Sequence, residues 1–134
     1  MNRFQRARRD HRDERLEDYL ELISDLINEQ GEARVVDIAA RMGVRAATVT
    51  QAVKGLAEEG WVEYSPYRPV TLTEKGQESA KTSRERHEIL VRFLLKLGVS
   101  PDTAEHDSEG MEHHVSPETL EAMEKWLDDQ PSGG

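Results

Sequence analysis

Asp18, Glu21, His87, Glu109, Glu112 and His113 supply carboxylates and imidazoles of the kind that hold a hard divalent cation. The tightest grouping is the run Glu109-Gly110-Met111-Glu112-His113-His114. On a helix, side chains at i, i+3 and i+4 share a face, so Glu109, Glu112 and His113 can address one ion without backbone strain. Two carboxylates and an imidazole on one face repel or desolvate one another unless a cation joins them. The other members are less specific taken singly. Asp18 and Glu21, one turn apart on an amphipathic stretch, equally suit solvated carboxylates, and His87, inside Arg84-Glu85-Arg86-His87-Glu88, equally suits a surface histidine. His11, His106 and His114 read as structural or exposed, since His114 would be rotated by about 100° from His113 on a helix. With no cysteine in the chain, disulfides, iron–sulfur clusters and thiolate zinc sites are excluded, so a metal here must be held by oxygen and nitrogen.

The elements that must position these residues are helical, with one short β insertion. Leu16, Tyr19, Leu20, Ile23, Leu26 and Ile27 at helical spacing predict a first helix from about Arg12 to Gln30, ended by Gly31. A short helix over Val35 to Met42, a Gly43-Val44-Arg45 turn, and a helix from Ala46 to Glu59 with the stripe Val49, Ala52, Val53, Leu56 form a helix-turn-helix signature. Trp61 to Tyr64 and Val70 to Thr73, two β-favouring runs around Ser65-Pro66-Tyr67-Arg68-Pro69, read as a hairpin, and a hairpin in this place is a wing. A long helix from Thr73 through His87 to about Leu97 follows. Its apolar residues Ile89, Leu90, Phe93, Leu94 and Leu97 exceed what one small domain needs, which predicts a homodimer contact. Ser100-Pro101 and Ser116-Pro117 are two further helix starts.

The expected fold is therefore mainly α: an N-terminal winged helix-turn-helix with a two-stranded wing, followed by an all-helical dimerisation domain. The expected boundaries are an Arg-rich extension at 1–16, the DNA-binding domain at 17–80, the dimerisation and metal-binding domain at 81–128, and a flexible tail at 129–134. No apolar run approaches the roughly 18 residues of a membrane span, and no apolar segment follows the Arg-rich start, so a cytoplasmic protein is expected.

A net charge of -9 at first argues against nucleic-acid binding. Its distribution removes that objection. Residues 31–81 carry seven Lys/Arg against seven Asp/Glu, whereas residues 82–134 carry five against twelve, so the middle of the chain can still present a basic face. Opposite the apolar stripe of the second helix of the pair stand Arg45, Thr48, Gln51 and Lys54, with Thr50 at the edge; such groups meet phosphates and base edges in a major groove. Arg68 at the hairpin tip can reach a phosphate or the minor groove. Each of these equally fits an ordinary solvent-facing residue; the order helix, turn, helix, wing is more specific than its parts. The Arg-rich start, Arg3 to Arg15, reads either as an arm onto DNA or as a solvated extension. A metallohydrolase would need a substrate pocket and a separate general base, and no such extra constellation is present. A winged helix responding to an organic ligand would leave the carboxylates as surface.

Asp18-Tyr19-Leu20-Glu21, Arg86-His87-Glu88 and Glu109-Gly110-Met111-Glu112-His113-His114 together resemble the diphtheria-toxin-repressor family of metal-dependent transcriptional regulators, and the similarity runs from about Glu17 to Leu127. The resemblance implies that Asp18, Glu21, His87, Glu109, Glu112 and His113 are the ligands of a two-ion site in each subunit. The iron-responsive branch has methionine at the position of Asp18 and cysteine at that of Glu109; oxygen donors at both positions resemble the manganese branch, with an iron-responsive regulator as the alternative. It implies a non-enzymatic, Mn²⁺-responsive homodimeric repressor that binds palindromic double-stranded operator DNA and needs no organic cofactor. On this reading metal joins the DNA-binding and dimerisation halves and fixes the spacing of the recognition helices.

Overall fold

The computed structural model describes residues 2–131, and the chain forms two compact units. One spans His11–Lys81; the other combines the chain after Lys81 with the segment before His11. The helix α1 runs Arg3–Gln30, about three turns longer at its start than apolar spacing predicts. The cause is a local start signal. Asn2 Oδ1 accepts from the Gln5 amide at 2.8 Å while Gln5 Oε1 accepts from the Asn2 amide at 3.0 Å, a reciprocal capping box that needs no apolar residue.

Within the His11–Lys81 unit, α2 (Val35–Met42) and α3 (Ala46–Glu58) pack over the C-terminal half of α1. Leu20, Ile23 and Leu26 meet Ile38, Val49 and Val53, all essentially removed from solvent. This spacing-driven burial orients α3: with Val49, Val53 and Leu56 inward, Thr48, Gln51 and Lys54 must point out. Gly43 (φ 69°) supplies the left-handed residue between the two helices.

The strands β1 (Val62–Glu63) and β2 (Thr71–Leu72) pair antiparallel in the register Val62 with Leu72 and Glu63 with Thr71. An isolated bridge ties Ala33 to Val70, whose amide donates to the Ala33 carbonyl at 2.7 Å. The strands are shorter than the β-favouring runs suggest because Val70 commits its amide to Ala33 and Thr73 opens the next helix. Thr73 then caps α4 (Glu74–Lys96): its hydroxyl donates toward the Gly60 and Trp61 carbonyls at 2.7 and 3.0 Å and accepts from the Gly76 amide at 3.1 Å. Gly76 sits so close to the wing base that a Cβ there would lie 2.1 Å from the Trp61 carbonyl oxygen. Lys75 lies over the Trp61 ring, 3.9 Å from its centre.

In the other unit, α4 continues into a helical layer with α5 (Pro101–Met111) and α6 (Pro117–Asp128). Leu90, Ala104, Ser108 and Leu120 are buried, and Phe93 meets Trp126 edge to face at 5.4 Å. Both proline starts are used. Ser116 caps α6 through its hydroxyl and the Thr119 amide at 3.2 Å, whereas Ser100 directs its hydroxyl to Thr103 Oγ1 and leaves the Pro101 start to backbone geometry. Of the expected tail, Asp129 and Gln130 close the last turn of α6, and 132–134 lie outside the described residues.

Candidate metal centre and nucleic-acid interface

Three of the expected donors stand at the end of α5. The helix stops at Met111, Glu112 is its cap residue, and His113 and His114 lie in the following turn. Glu112 keeps right-handed helical dihedrals (φ -58°, ψ -28°) and the Val115 amide still donates to the Met111 carbonyl, so the helical spacing of Glu109, Glu112 and His113 persists past the end of the helix. The Glu112 and His113 side chains are only 3% and 2% exposed, whereas Glu109 remains exposed.

His87, projecting from α4, joins this pair. Its Nδ1 is 3.1 Å from Glu112 Oε2, and His113 Nε2 is 3.7 Å from Glu112 Oε1. One buried carboxylate thus stands between two imidazoles. Three donors of the predicted set, His87, Glu112 and His113, are brought together within one unit; Glu109 neighbours them along α5 and stays toward solvent. A residue outside the predicted set completes the arrangement: Glu105 Oε2 lies 2.8 Å from His87 Nε2. A carboxylate only accepts and a neutral imidazole carries one hydrogen, so the His87 ring stands between two acceptors, Glu105 at Nε2 and Glu112 at Nδ1, and when neutral donates to one of them. Glu105 is readable in principle, because it stands four residues before Glu109 and seven before Glu112 on one helical face.

Asp18 and Glu21 lie in the other unit, on the side of α1 opposite its core stripe, with Asp18 exposed and Glu21 half-buried. Here too a carboxylate one turn earlier lies outside the predicted set. Glu14 and Asp18, at i and i+4, bring carboxylate oxygens within 4.8 Å of each other. The donor chemistry of both units is oxygen and imidazole nitrogen, which suits Mn²⁺ or another hard to borderline divalent ion.

The nucleic-acid face follows from the orientation of α3. Arg45 at its N-cap, Thr48, Gln51 and Lys54 are exposed, Thr50 is half-buried at the edge, and Arg68 is exposed in the wing turn. Thr48 and Gln51 border a groove of about 700 Å³ whose opposite wall is α1, through Arg12, Asp13, Arg15, Leu16 and Tyr19. The Arg-rich stretch thus continues α1 as helix, and two of its arginines flank the outer side of α3.

The sequence comparisons agree with this division. Residues 13–70 match the iron dependent repressor N-terminal DNA-binding domain, and residues 73–131 match the iron dependent repressor metal-binding and dimerisation domain. The chain is 57% identical over 120 residues to the transcriptional regulator MntR of Escherichia coli O6:H1, covering 90% of this chain and 77% of that protein. It is 43% identical over 101 residues to the HTH-type transcriptional regulator MntR of Geobacillus thermodenitrificans, covering 75% and 72%. Among solved structures, a manganese-dependent transcriptional repressor in complex with manganese superposes with a TM-score of 0.76 at 31% identity, over 86% of this chain and 53% of that one. The manganese regulator SloR superposes with a TM-score of 0.72 at 31% identity, over 86% and 54%. The chain spans about half the length of these two solved proteins. A winged DNA-reading unit, a helical unit carrying the imidazole and carboxylate donors, and family matches across both place the chain in the iron-dependent repressor family of DNA-binding, metal-binding transcriptional regulators.

Proposed function

We propose that this protein is a Mn²⁺-activated transcriptional repressor, acting as a homodimer on palindromic double-stranded operator DNA in the cytoplasm and shutting off manganese uptake genes when the metal is plentiful. The names of its relatives support the manganese assignment. The observation that carries the reading is the Glu112 carboxylate, 3% exposed between His87 and His113. Burying a carboxylate costs several kcal/mol unless positive charge or strong hydrogen bonds offset it, and a divalent cation shared with neutral imidazoles does so.

Asp18, Glu21, His87, Glu109, Glu112 and His113 would hold the metal, two ions in each subunit. When bound, the ions supply positive charge and a common point of attachment for these donors. Asp18 and Glu21 belong to the unit that carries α3, and the other four belong to the unit assigned to dimerisation. Donors from both units committed to the same ions restrict how the units can turn relative to each other. In a dimer that restriction sets the separation of the two α3 helices, and operator half-sites demand one separation, about one helical turn or a multiple of it. Arg45, Thr48, Thr50, Gln51 and Lys54 then meet phosphates and base edges in the major groove while Arg68 in the wing turn reaches a phosphate or the minor groove. Metal acts by population shift, favouring the orientation that fits DNA. Fe²⁺ is the rival activator within the family, and oxygen donors at Asp18 and Glu109 favour the harder ion.

The test is fluorescence anisotropy with duplex DNA that the protein itself enriches from a random pool in the presence of Mn²⁺. Excess Mn²⁺ is expected to tighten binding on the order of tenfold to a hundredfold over chelator. Equal affinity in the two conditions refutes the proposal, and activation by Fe²⁺ but not Mn²⁺ transfers it to the iron-responsive reading.

A further inference from the structure

The wing turn needs a left-handed residue at its third position and places a tyrosine there. Ser65-Pro66-Tyr67-Arg68 is a hydrogen-bonded turn, with the Arg68 amide donating to the Ser65 carbonyl at 3.2 Å, and Tyr67 adopts φ 66°. Proline fixes its own φ near -65°, so Pro66 at the second position excludes the primed turns and leaves type II, whose third position ordinarily takes glycine or asparagine. Tyr67 is the only non-glycine residue with positive φ among the described residues. Left-handed backbone is unfavourable for a residue with a Cβ, and more so for a bulky one. Packing gives nothing in return, because Tyr67 is 99% exposed.

A strained and fully solvated aromatic at the tip of a wing calls for an external contact. We propose that Tyr67 is a DNA-contacting residue: its ring packs on the sugar edge of the minor groove and its hydroxyl donates to a backbone phosphate, next to Arg68. The inference rests on the DNA-binding reading of the α3 and wing unit. Charge supports a nucleic-acid partner over a protein one. In a chain of net charge -9, the turn Ser65–Pro69 carries Arg68 and no acidic residue. Chemistry supports it as well, since a tyrosine presents an apolar ring and a polar tip, the pairing that a sugar next to a phosphate offers. Such a contact is indifferent to base identity, so it adds affinity and fixes register without setting the sequence read.

The experiment compares the wild type with Tyr67→Asn and Tyr67→Phe, each with saturating Mn²⁺, on the DNA enriched by the wild type. Asparagine tolerates the left-handed region, so Tyr67→Asn is expected to melt at the same temperature as the wild type or higher, while its Kd for DNA rises on the order of tenfold. Tyr67→Phe keeps the ring and loses the phosphate bond, so its Kd lies between the two. Hydroxyl-radical footprinting of the wild type should show protected sugars in the minor groove flanking each half-site, and Tyr67→Asn should lose that protection alone. Wild-type affinity and footprint in Tyr67→Asn overturn the proposal. A weaker complex whose footprint is lost uniformly assigns Tyr67 a structural role and overturns it too. If the wild type binds no DNA with Mn²⁺, it is the underlying DNA-binding reading that fails.

Discussion

Glu105 changes how the imidazole of His87 is understood. Its carboxylate sits 2.8 Å from Nε2, while Nδ1 faces the buried Glu112 at 3.1 Å. Histidines that bind metal commonly donate their second ring nitrogen to a carboxylate, which fixes tautomer and orientation. Glu105 is a positioning residue on this account, and Glu105→Ala is expected to weaken Mn²⁺ binding by about tenfold to a hundredfold. Isothermal titration checks this, and Glu105→Gln, which keeps an acceptor oxygen, should recover part of the loss. An unchanged affinity in Glu105→Ala would leave the contact as an ordinary surface ion pair. The proposed ligands behave differently: His113→Ala and Glu109→Ala should each abolish the Mn²⁺ response of DNA binding while circular dichroism still reports a folded helical protein. A mutant that responds at the wild-type Mn²⁺ concentration removes that residue from the ligand set. Spacing along α5 singles out Glu109, Glu112 and His113. It does not reveal that the helix ends at Met111 with Glu112 as its cap residue. It also passes over Glu105, whose role depends on His87 facing it from α4.

Among the elements, those whose apolar stripe is regular are readable from sequence to within a residue or two, α2 and α3 above all. The start of α1 is not, because Arg3 to Arg15 offers no apolar period. The signal that does mark it, Asn2 with Gln5, works through two side-chain to backbone hydrogen bonds and no burial. The wing is legible as a hairpin, but its two-residue strands depend on anchors distant in sequence. Ala33 holds Val70, and Thr73 with Gly76 locks the wing base against the first turn of α4. The lock predicts a defined mutational response. Gly76→Ala places a methyl group 2.1 Å from the Trp61 carbonyl, so the wing base must shift, at a cost of about 1–3 kcal/mol as in other overpacked sites. Urea unfolding measures this, and DNA affinity should fall with it because the wing turn moves. A variant as stable as the wild type would mean that the junction yields at no cost. The groove between α3 and the Arg12–Tyr19 stretch of α1 cannot be foreseen from periodicity, since α1 places its arginines beside Thr48 and Gln51 only once both helices are packed.

At the scale of the whole molecule, charge and function divide along the chain. Residues 31–81, which hold α2, α3 and the wing, balance seven basic against seven acidic residues, whereas 82–134 hold five basic and twelve acidic residues together with four of the six proposed ligands. Neutralising part of that acidity by metal also lessens repulsion from DNA, an effect that salt screens and that is smaller than the orientational one. The central claim is that metal occupancy and DNA affinity are one coupled equilibrium, and coupling of this kind is reciprocal. It is tested most directly by titrating Mn²⁺ into the protein with and without its enriched DNA duplex. The account predicts that DNA tightens Mn²⁺ binding by the same factor by which Mn²⁺ tightens DNA binding. Mn²⁺ affinity that is identical with and without DNA would contradict it.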